Sequence, residues 1–326
     1  MSHQTPRESS LSRHLRRFQG GIGLVAVFLL ACLFGRSHRG DLVFIRPDNL
    51  TDILRDASEK GILAVGMTFV ILTAGIDLSV GRILALACML TGHFLMVWQW
   101  PALAVIALVL GAGLAMGFLN GLIVTRGRLQ PFVVTLATML VFYGLAKLVT
   151  GGPVIGMSAA PAGFQVLAGE LFAGVRVPIV VFLGSVVAGE LVLRGTVFGR
   201  FVYAVGGNEV AARFAGVPVS SVKAWVYAIS GLLSALAGVL HCAQYKQADP
   251  NVGAGYELDA IAAVVIGGTN LMGGRGSVLG TMAGVLIVGI IDNILQINGI
   301  DPNLQKVIKG AIILGAALLQ RRKGQS

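Results

Sequence analysis

The sequence predicts an all-α, polytopic helical integral membrane protein, on the basis of its composition, its long apolar runs and their lack of strand-like alternation. Of the 326 residues, 55% are hydrophobic and 12% are charged, and the mean hydropathy is +0.82. Apolar stretches recur from Ile22 to Leu319 and are apolar on all sides, whereas the strands of an outer-membrane barrel alternate apolar and polar residues. In lipid, every backbone polar group has to be satisfied within its own segment, which favours helices.

About ten transmembrane helices are expected, some of them broken or re-entrant. The predicted spans cover residues 21–34, 61–74, 83–98, 102–124, 131–149, 177–193, 224–240, 258–266, 278–295 and 304–319. Several are shorter than the roughly 20 residues that a helix needs to cross a bilayer. The short runs flank residues 75–81 and 273–276, so we expect irregular backbone there that is buried in protein or lines a cavity. A separate short surface helix is expected from Asn49 to Lys60.

The net charge of +10 is spread over loop ends and tails, which argues for membrane topology and against a nucleic-acid partner. Lys and Arg stay on the cytoplasmic side, so both termini are expected there, with an even number of crossings between them. The expected organisation is a cytoplasmic N-terminal tail (1–19), a transmembrane domain (20–320) with a basic cytoplasmic loop (194–223), and a cytoplasmic C-terminal tail (321–326).

Asp77 is the most informative single residue, because it lies between two apolar runs in Ala74-Gly-Ile-Asp-Leu-Ser-Val-Gly81. A carboxylate near the hydrocarbon is costly and by default suggests a function. The alternative is that Asp77 caps a helix starting at Leu78 or Ser79 by accepting backbone N–H bonds. The two roles are compatible if the capped break shapes a pathway.

The basic loop holds a second feature, between residues 205 and 216. Its pattern predicts a turn at Gly206 and Gly207, an N-cap at Asn208, and an amphipathic helix ending at Gly216. A capped helix on a cytoplasmic loop can dock into the groove of a partner. It can equally be an ordinary connector on the membrane surface, and the residues alone leave both interpretations open.

The sequence holds no recognisable catalytic, cofactor or metal pattern. The five histidines have no ligand-like spacing, and His93 within an apolar run is typical of a packing residue. The glycine pairs at 206–207 and 267–268 are not followed by the Gly-Lys-Ser/Thr of a phosphate loop. We therefore expect that the chain is not an enzyme and does not hydrolyse ATP.

Several segments resemble those of ribose/xylose/arabinose-type ABC sugar permeases, in order from about Asn49 to Leu319. They are residues 66–81 (GMTFVILTAGIDLSVG), 130–139 (QPFVVTLATM), 203–217 (YAVGGNEVAARFAGV), 256–269 (YELDAIAAVVIGGT), 273–277 (GGRGS) and 309–313 (KGAII). Two departures are Arg82, where the family usually has a small polar residue, and Gln130, where it more often has proline. Either could alter a pathway locally.

The resemblance implies a membrane subunit of an importer in the bacterial inner membrane. Its implied partners are a second permease subunit in a homodimer, an ABC ATPase subunit, and a periplasmic or lipid-tethered binding protein that delivers a monosaccharide. The residues carried over to the ATPase contact are Gly207, Asn208, Ala211, Ala212 and Gly216. The residues expected to shape the translocation pathway are Thr73, Asp77, Phe132 and Thr135. The sequence does not specify the sugar.

The alternative class is an ion-coupled secondary transporter of a small polar solute. Such a carrier usually needs ionisable residues inside its spans. The candidates here lie close to segment ends: Asp77, Lys147, Asp259 and Asp292. An integral-membrane enzyme is disfavoured by the missing acid/base or metal cluster.

Overall fold

The chain folds as a bundle of helices of very unequal length. The computed structural model describes residues 19–35, 42–149, 151–172 and 174–324. The helices of the first half are α1 (Gln19–Phe34), α2 (Pro47–Leu72), α3 (Val80–Gly92), α4 (Ala102–Arg126) and α5 (Pro131–Leu148). Those of the second half are α6 (Ala162–Gln165), α7 (Val177–Gly195), α8 (Val197–Gly207), α9 (Glu209–Phe214), α10 (Val219–Tyr245), α11 (Tyr256–Ile266), α12 (Val278–Ile297) and α13 (Pro302–Gly324).

Short irregular elements complete these helices. A π-helical turn (His93–Val97) extends α3, and a 3₁₀ turn (Val166–Ala168) follows α6. Strands β1 (Ile155–Gly156) and β4 (Gln247–Ala248) pair antiparallel, as do β2 (Glu170–Phe172) and β3 (Val175–Arg176). These two small ribbons are the part of the described fold that the all-α prediction did not include.

Six of the described helices are long and apolar enough to cross a bilayer. They are α3 with its π-helical extension, α4, α5, α7, α10 and α12. The prediction of a polytopic helical membrane protein is confirmed, and its count of about ten spans stays a prediction. The predicted N-terminal tail falls almost entirely on residues 1–18, outside the described ranges, whereas α13 continues through the predicted C-terminal boundary to Gly324.

Helix α2 differs from its prediction, because it joins the expected surface helix and the span that follows it. Pro47 occupies the first turn, which suits its fixed φ and missing N–H. Charges within the helix find partners, as Arg55 does with Asp52 at 2.8 Å, so the polar part need not be a separate surface element. Gly61, at the predicted boundary, lies directly against the Phe182 ring, where a side chain would not fit. The glycine therefore marks close packing rather than a break.

The centre of the bundle is the second half of α2. Every residue from Gly61 to Leu72 is buried, and α7, α10, α11 and α12 all pack against this helix. A helix that is apolar all round belongs in the interior, which explains why this stretch lacks a polar face. The end of α2 is thus held on several sides at the point where the chain breaks before α3.

Helices α4 and α10 approach closely through small residues. Gly113, Gly117 and Gly121 recur every four residues on α4, and a Cβ on any of them would strike the backbone of α10. Facing small residues let helix backbones come together in membranes, where van der Waals packing drives association. This contact brings Asn120 of α4 and Ser230 of α10 to the same side of the break between α2 and α3.

Candidate functional site

The helix break (residues 73–79) separates α2 from α3. The amide N–H of Gly75 donates to the Val70 carbonyl at 3.0 Å and that of Ala74 donates to Ile71 at 2.9 Å. This is the Schellman pattern of helix termination, with the left-handed position taken by Ala74 at φ +59°. Alanine is strained there, because its Cβ crowds the backbone in a conformation that glycine adopts freely. The surrounding structure therefore stabilises the helix break in a backbone conformation that alanine disfavours.

Asp77 lies fully buried within the break and accepts three hydrogen bonds. Its Oδ1 accepts from the Ser79 amide at 3.0 Å and from the Ser79 hydroxyl at 2.6 Å. Its Oδ2 accepts from the Ser230 hydroxyl at 2.9 Å, and the Asn120 amide donates to Ser79 Oγ at 2.9 Å. The carboxylate thereby joins the break to α10 and, through Ser79, to α4.

The structure modifies the predicted cap at Asp77. Helix α3 begins at Val80, and the residue before it, Ser79, makes no side-chain cap. Asp77 does accept a backbone N–H, that of Ser79, but in the turn that precedes the helix. Aspartate favours such a turn because its short side chain reaches the amide two residues ahead.

The other predicted pathway residues take different positions. The Thr135 hydroxyl of α5 donates to the Ile76 carbonyl at 3.2 Å, so Thr135 contacts the break at the residue before Asp77. Thr73 is buried and donates back to Val70 at 2.9 Å, which helps to close α2. Phe132 lies near the start of α5 and is 50% exposed, apart from the Asp77 hydrogen bonds.

The α8–α9 segment (residues 196–217) is the basic loop in folded form. Asn208 Oδ1 accepts from the Ala211 amide at 2.9 Å, which confirms the predicted N-cap. Gly216, at φ +83°, follows the end of α9, and the Val217 amide reaches back to Ala212 at 3.0 Å. The predicted turn at Gly206 and Gly207 is wrong, since both residues complete α8 and the chain turns at Asn208.

One face of α9 is apolar and exposed. Val210 is 64% and Phe214 89% exposed, one helical turn apart, whereas Ala212 is buried at 5% against the rest of the chain. Gly207, Asn208, Ala211 and Gly216, the other residues expected at the ATPase contact, are all exposed. Phe214 is the residue that the sequence interpretation missed, although its i+4 spacing from Val210 already indicates a face.

Glu209 fastens α9 to the start of α10. Its carboxylate lies 2.6 Å from Lys223 Nζ and 3.1 Å from Arg213 Nη2. The hydrogen bond from Lys223, together with the two positive charges, holds the pKa of Glu209 below its usual value. The short helix is therefore anchored on one side and free on the apolar side.

The α8–α9 segment contacts the last residue of α2, immediately before the helix break. Gly206 lies against the Leu72 carbonyl, where a Cβ would not fit. The same carbonyl accepts the Gly274 amide at 2.9 Å, and the Tyr203 hydroxyl donates to the Gly276 carbonyl at 2.8 Å. Gly274 and Gly276 belong to the glycine loop (residues 267–277) between α11 and α12. Displacement of α8 would thus act on the end of α2 and on the glycine loop together.

This arrangement has the features of a membrane transport subunit: membrane-length helices, a buried polar break, and an exposed apolar helix joined to the end of α2 through α8. Within the described ranges, no group of three or more His, Cys, Asp or Glu side chains could hold a metal ion.

Comparison with known proteins gives the family. A family model described as the permease component of the branched-chain amino acid transport system matches residues 49–317. The chain belongs to this permease family. It is 46% identical over 281 residues to the ribose import permease protein RbsC of Bacillus subtilis. The matched region covers 86% of this chain and 87% of that relative.

Two further relatives cover nearly the whole chain. The galactose/methyl galactoside import permease protein MglC of Escherichia coli is 36% identical over 324 residues, 94% of each chain. The L-arabinose ABC transporter permease protein AraH of Azospirillum brasilense is 36% identical over 318 residues, 95% of this chain and 92% of the relative. No solved structure matches the chain significantly. The predicted family resemblance and the prediction of an ABC importer permease are confirmed, in preference to an ion-coupled carrier.

Proposed function

We propose that this permease imports a monosaccharide, with the energy supplied by an ATPase subunit that docks on the α8–α9 segment. The family description names branched-chain amino acids, whereas the relatives at 36–46% identity are named for ribose, galactose and arabinose. The relatives' names favour a sugar. A periplasmic or lipid-tethered binding protein would deliver it, and two copies of this chain would form the pathway as a homodimer.

The observation that carries the proposal is the contact between Gly206 and the end of α2. A subunit without a nucleotide-binding motif needs an external source of energy, and the exposed Phe214 offers an aromatic anchor for a partner's groove. Motion imposed on α9 would pass through α8 to the Leu72 carbonyl, one residue before the break begins. The route from partner to pathway is then a contiguous set of contacts.

The mechanism requires two states whose balance the partners bias. In this account, the Asp77 hydrogen bonds to Ser79 and Ser230 hold the break against α10, and the bond from Thr135 holds it against α5. ATP binding by the partner would press the α8–α9 segment and the glycine loop, and so shift the break relative to these helices. Thr73, Asp77, Phe132 and Thr135 are the residues proposed to shape the pathway.

The orientation proposed for this account places both termini, the tails (1–19 and 321–326) and the loop 194–223 in the cytoplasm. The transmembrane domain (20–320) then crosses the inner membrane about ten times. The positive charge of the loop and the C-terminal end supports this orientation, because cytoplasmic loops carry an excess of Lys and Arg. The ATPase face and the delivery face then lie at opposite ends of α2.

The proposed function is tested by uptake into proteoliposomes that contain the permease, its ATPase and its binding protein. D-ribose, D-galactose and L-arabinose are supplied separately, with ATP added or withheld. We expect accumulation of at least one sugar that requires ATP and both partners. Accumulation driven by a proton or sodium gradient without ATP would contradict the proposal.

Docking is tested by Phe214→Ala, with Leu103→Ala as the matched control. Leu103 is 80% exposed on α4, so its truncation also removes a large exposed apolar side chain, but far along the chain from α9. Loss of an aromatic anchor typically costs about 2 kcal/mol or more of binding free energy. We expect weaker co-purification of the ATPase with Phe214→Ala only, and equal recovery with both variants would argue against docking at α9.

A further inference from the structure

A polar cavity of about 550 Å³ lies between α2, α11, α12 and the last turn of α10. Small-molecule sites typically measure about 300–1,000 Å³. The lining residues that matter here are Asn49, Lys60, Tyr256, Asp259, Asp292 and Gln296. None of them belongs to the helix break or to the α8–α9 segment, so the cavity is separate from the site described above.

The cavity lies toward the end of α2 that is remote from the α8–α9 segment. Asn49 stands in the first turn of α2, and Gln296 in the last turn of α12. The α8–α9 segment contacts Leu72, the last residue of α2. At 1.5 Å per residue, the 26 residues of α2 separate its two ends by roughly 39 Å. In the proposed orientation, the cavity is therefore on the side from which a binding protein delivers its cargo.

Three charged side chains of the lining form a charged quartet with a lysine of α13 that does not line the cavity (Lys60, Asp259, Asp292 and Lys309). Lys60 Nζ lies 2.8 Å from Asp259 Oδ2 and 3.4 Å from Asp292 Oδ2, and Lys309 Nζ lies 2.9 Å from Asp292 Oδ2. The cavity lining also contains Asp52, Arg55 and Asp56, and Arg55 lies 2.8 Å from the Asp52 carboxylate and 3.1 Å from that of Asp56. Each charged side chain of the lining is thus paired with one of opposite charge, which favours a neutral ligand over an ion.

The rest of the lining suits a polyol. The side chains of Asn49 and Asn293 pair through hydrogen bonds of 2.8 and 3.1 Å. Amides offer donors and acceptors together, as the closely spaced hydroxyls of a sugar require. The Tyr256 ring, beside Lys60, adds an apolar surface with a polar tip.

From this geometry we infer that the cavity is a binding site for one neutral monosaccharide within a single permease subunit. The inference rests on the proposed function and deepens it by assigning a sugar site outside the helix break. The site would hold the sugar after its release from the binding protein, before it enters the pathway. The charged quartet would then have two roles, joining α2, α11, α12 and α13 and presenting hydroxyl-binding groups.

The test is protection of an introduced thiol in the assembled permease–ATPase complex in nanodiscs. Gln296→Cys places a thiol at the rim of the cavity, and Asn303→Cys, exposed and outside it, is the control. Both are made in a Cys32→Ser background, because Cys88 and Cys242 are buried. A charged methanethiosulfonate reagent is applied with D-ribose, D-galactose or L-arabinose. At about four times Kd, the sugar that supports uptake should slow labelling at residue 296 about fivefold and leave residue 303 unaffected.

A pair of glycine variants distinguishes occupancy of the cavity from an indirect effect. A Cβ at Gly289, which lines the cavity, would make only ordinary contacts with Ala57 and Ile53, at 3.4 and 3.6 Å. Gly289→Ala should therefore keep the protection, whereas Gly289→Leu fills the cavity and should abolish it. Equal protection in both variants, or none with any sugar that is taken up, would overturn the inference. Absence of ATP-dependent uptake of every sugar would instead remove the proposed function.

Discussion

The helix break and the charged quartet both place ionisable groups inside the bundle, but they stabilise them in opposite ways. At the break, Asp77 is fully buried and is held by hydroxyl and amide donors from Ser79 and Ser230. In the quartet, each carboxylate contacts a lysine directly beside the cavity and keeps some exposure, 17% for Asp259 and 14% for Asp292. A carboxylate fixed by neutral donors is suited to holding backbone in position. A carboxylate that is paired with a lysine beside a cavity is suited to binding a ligand.

The largest effect is expected when the carboxylate oxygens of Asp77, which accept the hydrogen bonds at the helix break, are removed. Asp77→Ala leaves the Ser79 amide and two hydroxyls without their partner, and we expect a loss of about 3 kcal/mol in the free energy of unfolding. Asp77→Asn should lose less than about 1 kcal/mol, since its oxygen still accepts from Ser79 and its amide can donate to Ser230. Denaturant titration in mixed micelles measures both, and equal losses would contradict the assigned role.

In the charged quartet, we expect the free energy of unfolding to depend on the balance of charge rather than on a single hydrogen bond. Lys60→Met leaves Asp259 with Lys309 alone, at 3.7 Å. Removal of one partner from a fully buried pair costs about 3–5 kcal/mol, and the partial exposure here lowers our expectation to about 2 kcal/mol. The double variant Lys60→Met, Asp259→Asn removes the excess negative charge that Lys60→Met leaves, and should recover about half of the loss. If the second change adds to the first, charge balance does not stabilise the quartet.

The strained end of α2 allows a change in the opposite direction. Ala74 adopts φ +59° in the Schellman turn and is exposed. Ala74→Gly should therefore raise the free energy of unfolding by about 1 kcal/mol, because glycine adopts this conformation without steric cost. Thermal unfolding in detergent is the measurement. A lower midpoint for Ala74→Gly would mean that the alanine methyl group makes contacts worth more than the strain.

The smallest expected effect concerns Glu209, the charged anchor outside the bundle interior. It is 40% exposed, so solvent screening limits the effect of Glu209→Gln to about 0.5 kcal/mol or less. Its pKa is lowered by Lys223, so its contribution is present at neutral pH and disappears as the pH falls through the lowered pKa. The variant should differ from the parent at pH 7, and the difference should shrink as the pH falls through the lowered pKa of Glu209. A difference that grows in acid would contradict this sign.

The sequence was sufficient for the class of fold and for the position of the break. Apolar runs predict helices because a bilayer leaves few alternatives, and Gly75 with Asp77 indicates a break by local chemistry alone. The sequence interpretation divided α2 into a surface helix and a separate span. The division was wrong because charged residues such as Lys60 have partners on helices distant in sequence. The sequence interpretation also misjudged Gly206, where glycine serves a close approach to Leu72 and not a turn.

The polar partners of the break were not predictable from sequence. Ser230 is 153 residues from Asp77, and Asn120 is 41 residues from Ser79. Serine and asparagine within apolar helices carry no signal that names their partner. The exposure of Phe214 likewise follows from how α9 is fastened to α10, and Glu209 performs that fastening through a contact 14 residues away. Local patterns identified these elements, and tertiary packing decided which faces they present.

The central claim is that α8 transmits the motion imposed by the ATPase to the helix break through the Gly206–Leu72 contact. The most direct test is the number of sugar molecules imported per ATP hydrolysed by the complete complex carrying Gly206→Ala. Gly195→Ala is the control, because a Cβ there meets no other atom within 4 Å. The account predicts that Gly206→Ala keeps hydrolysing ATP while import per ATP falls about fivefold or more, since coupling free energies are typically 1–3 kcal/mol. An unchanged ratio, with the variant assembled and active, would contradict it.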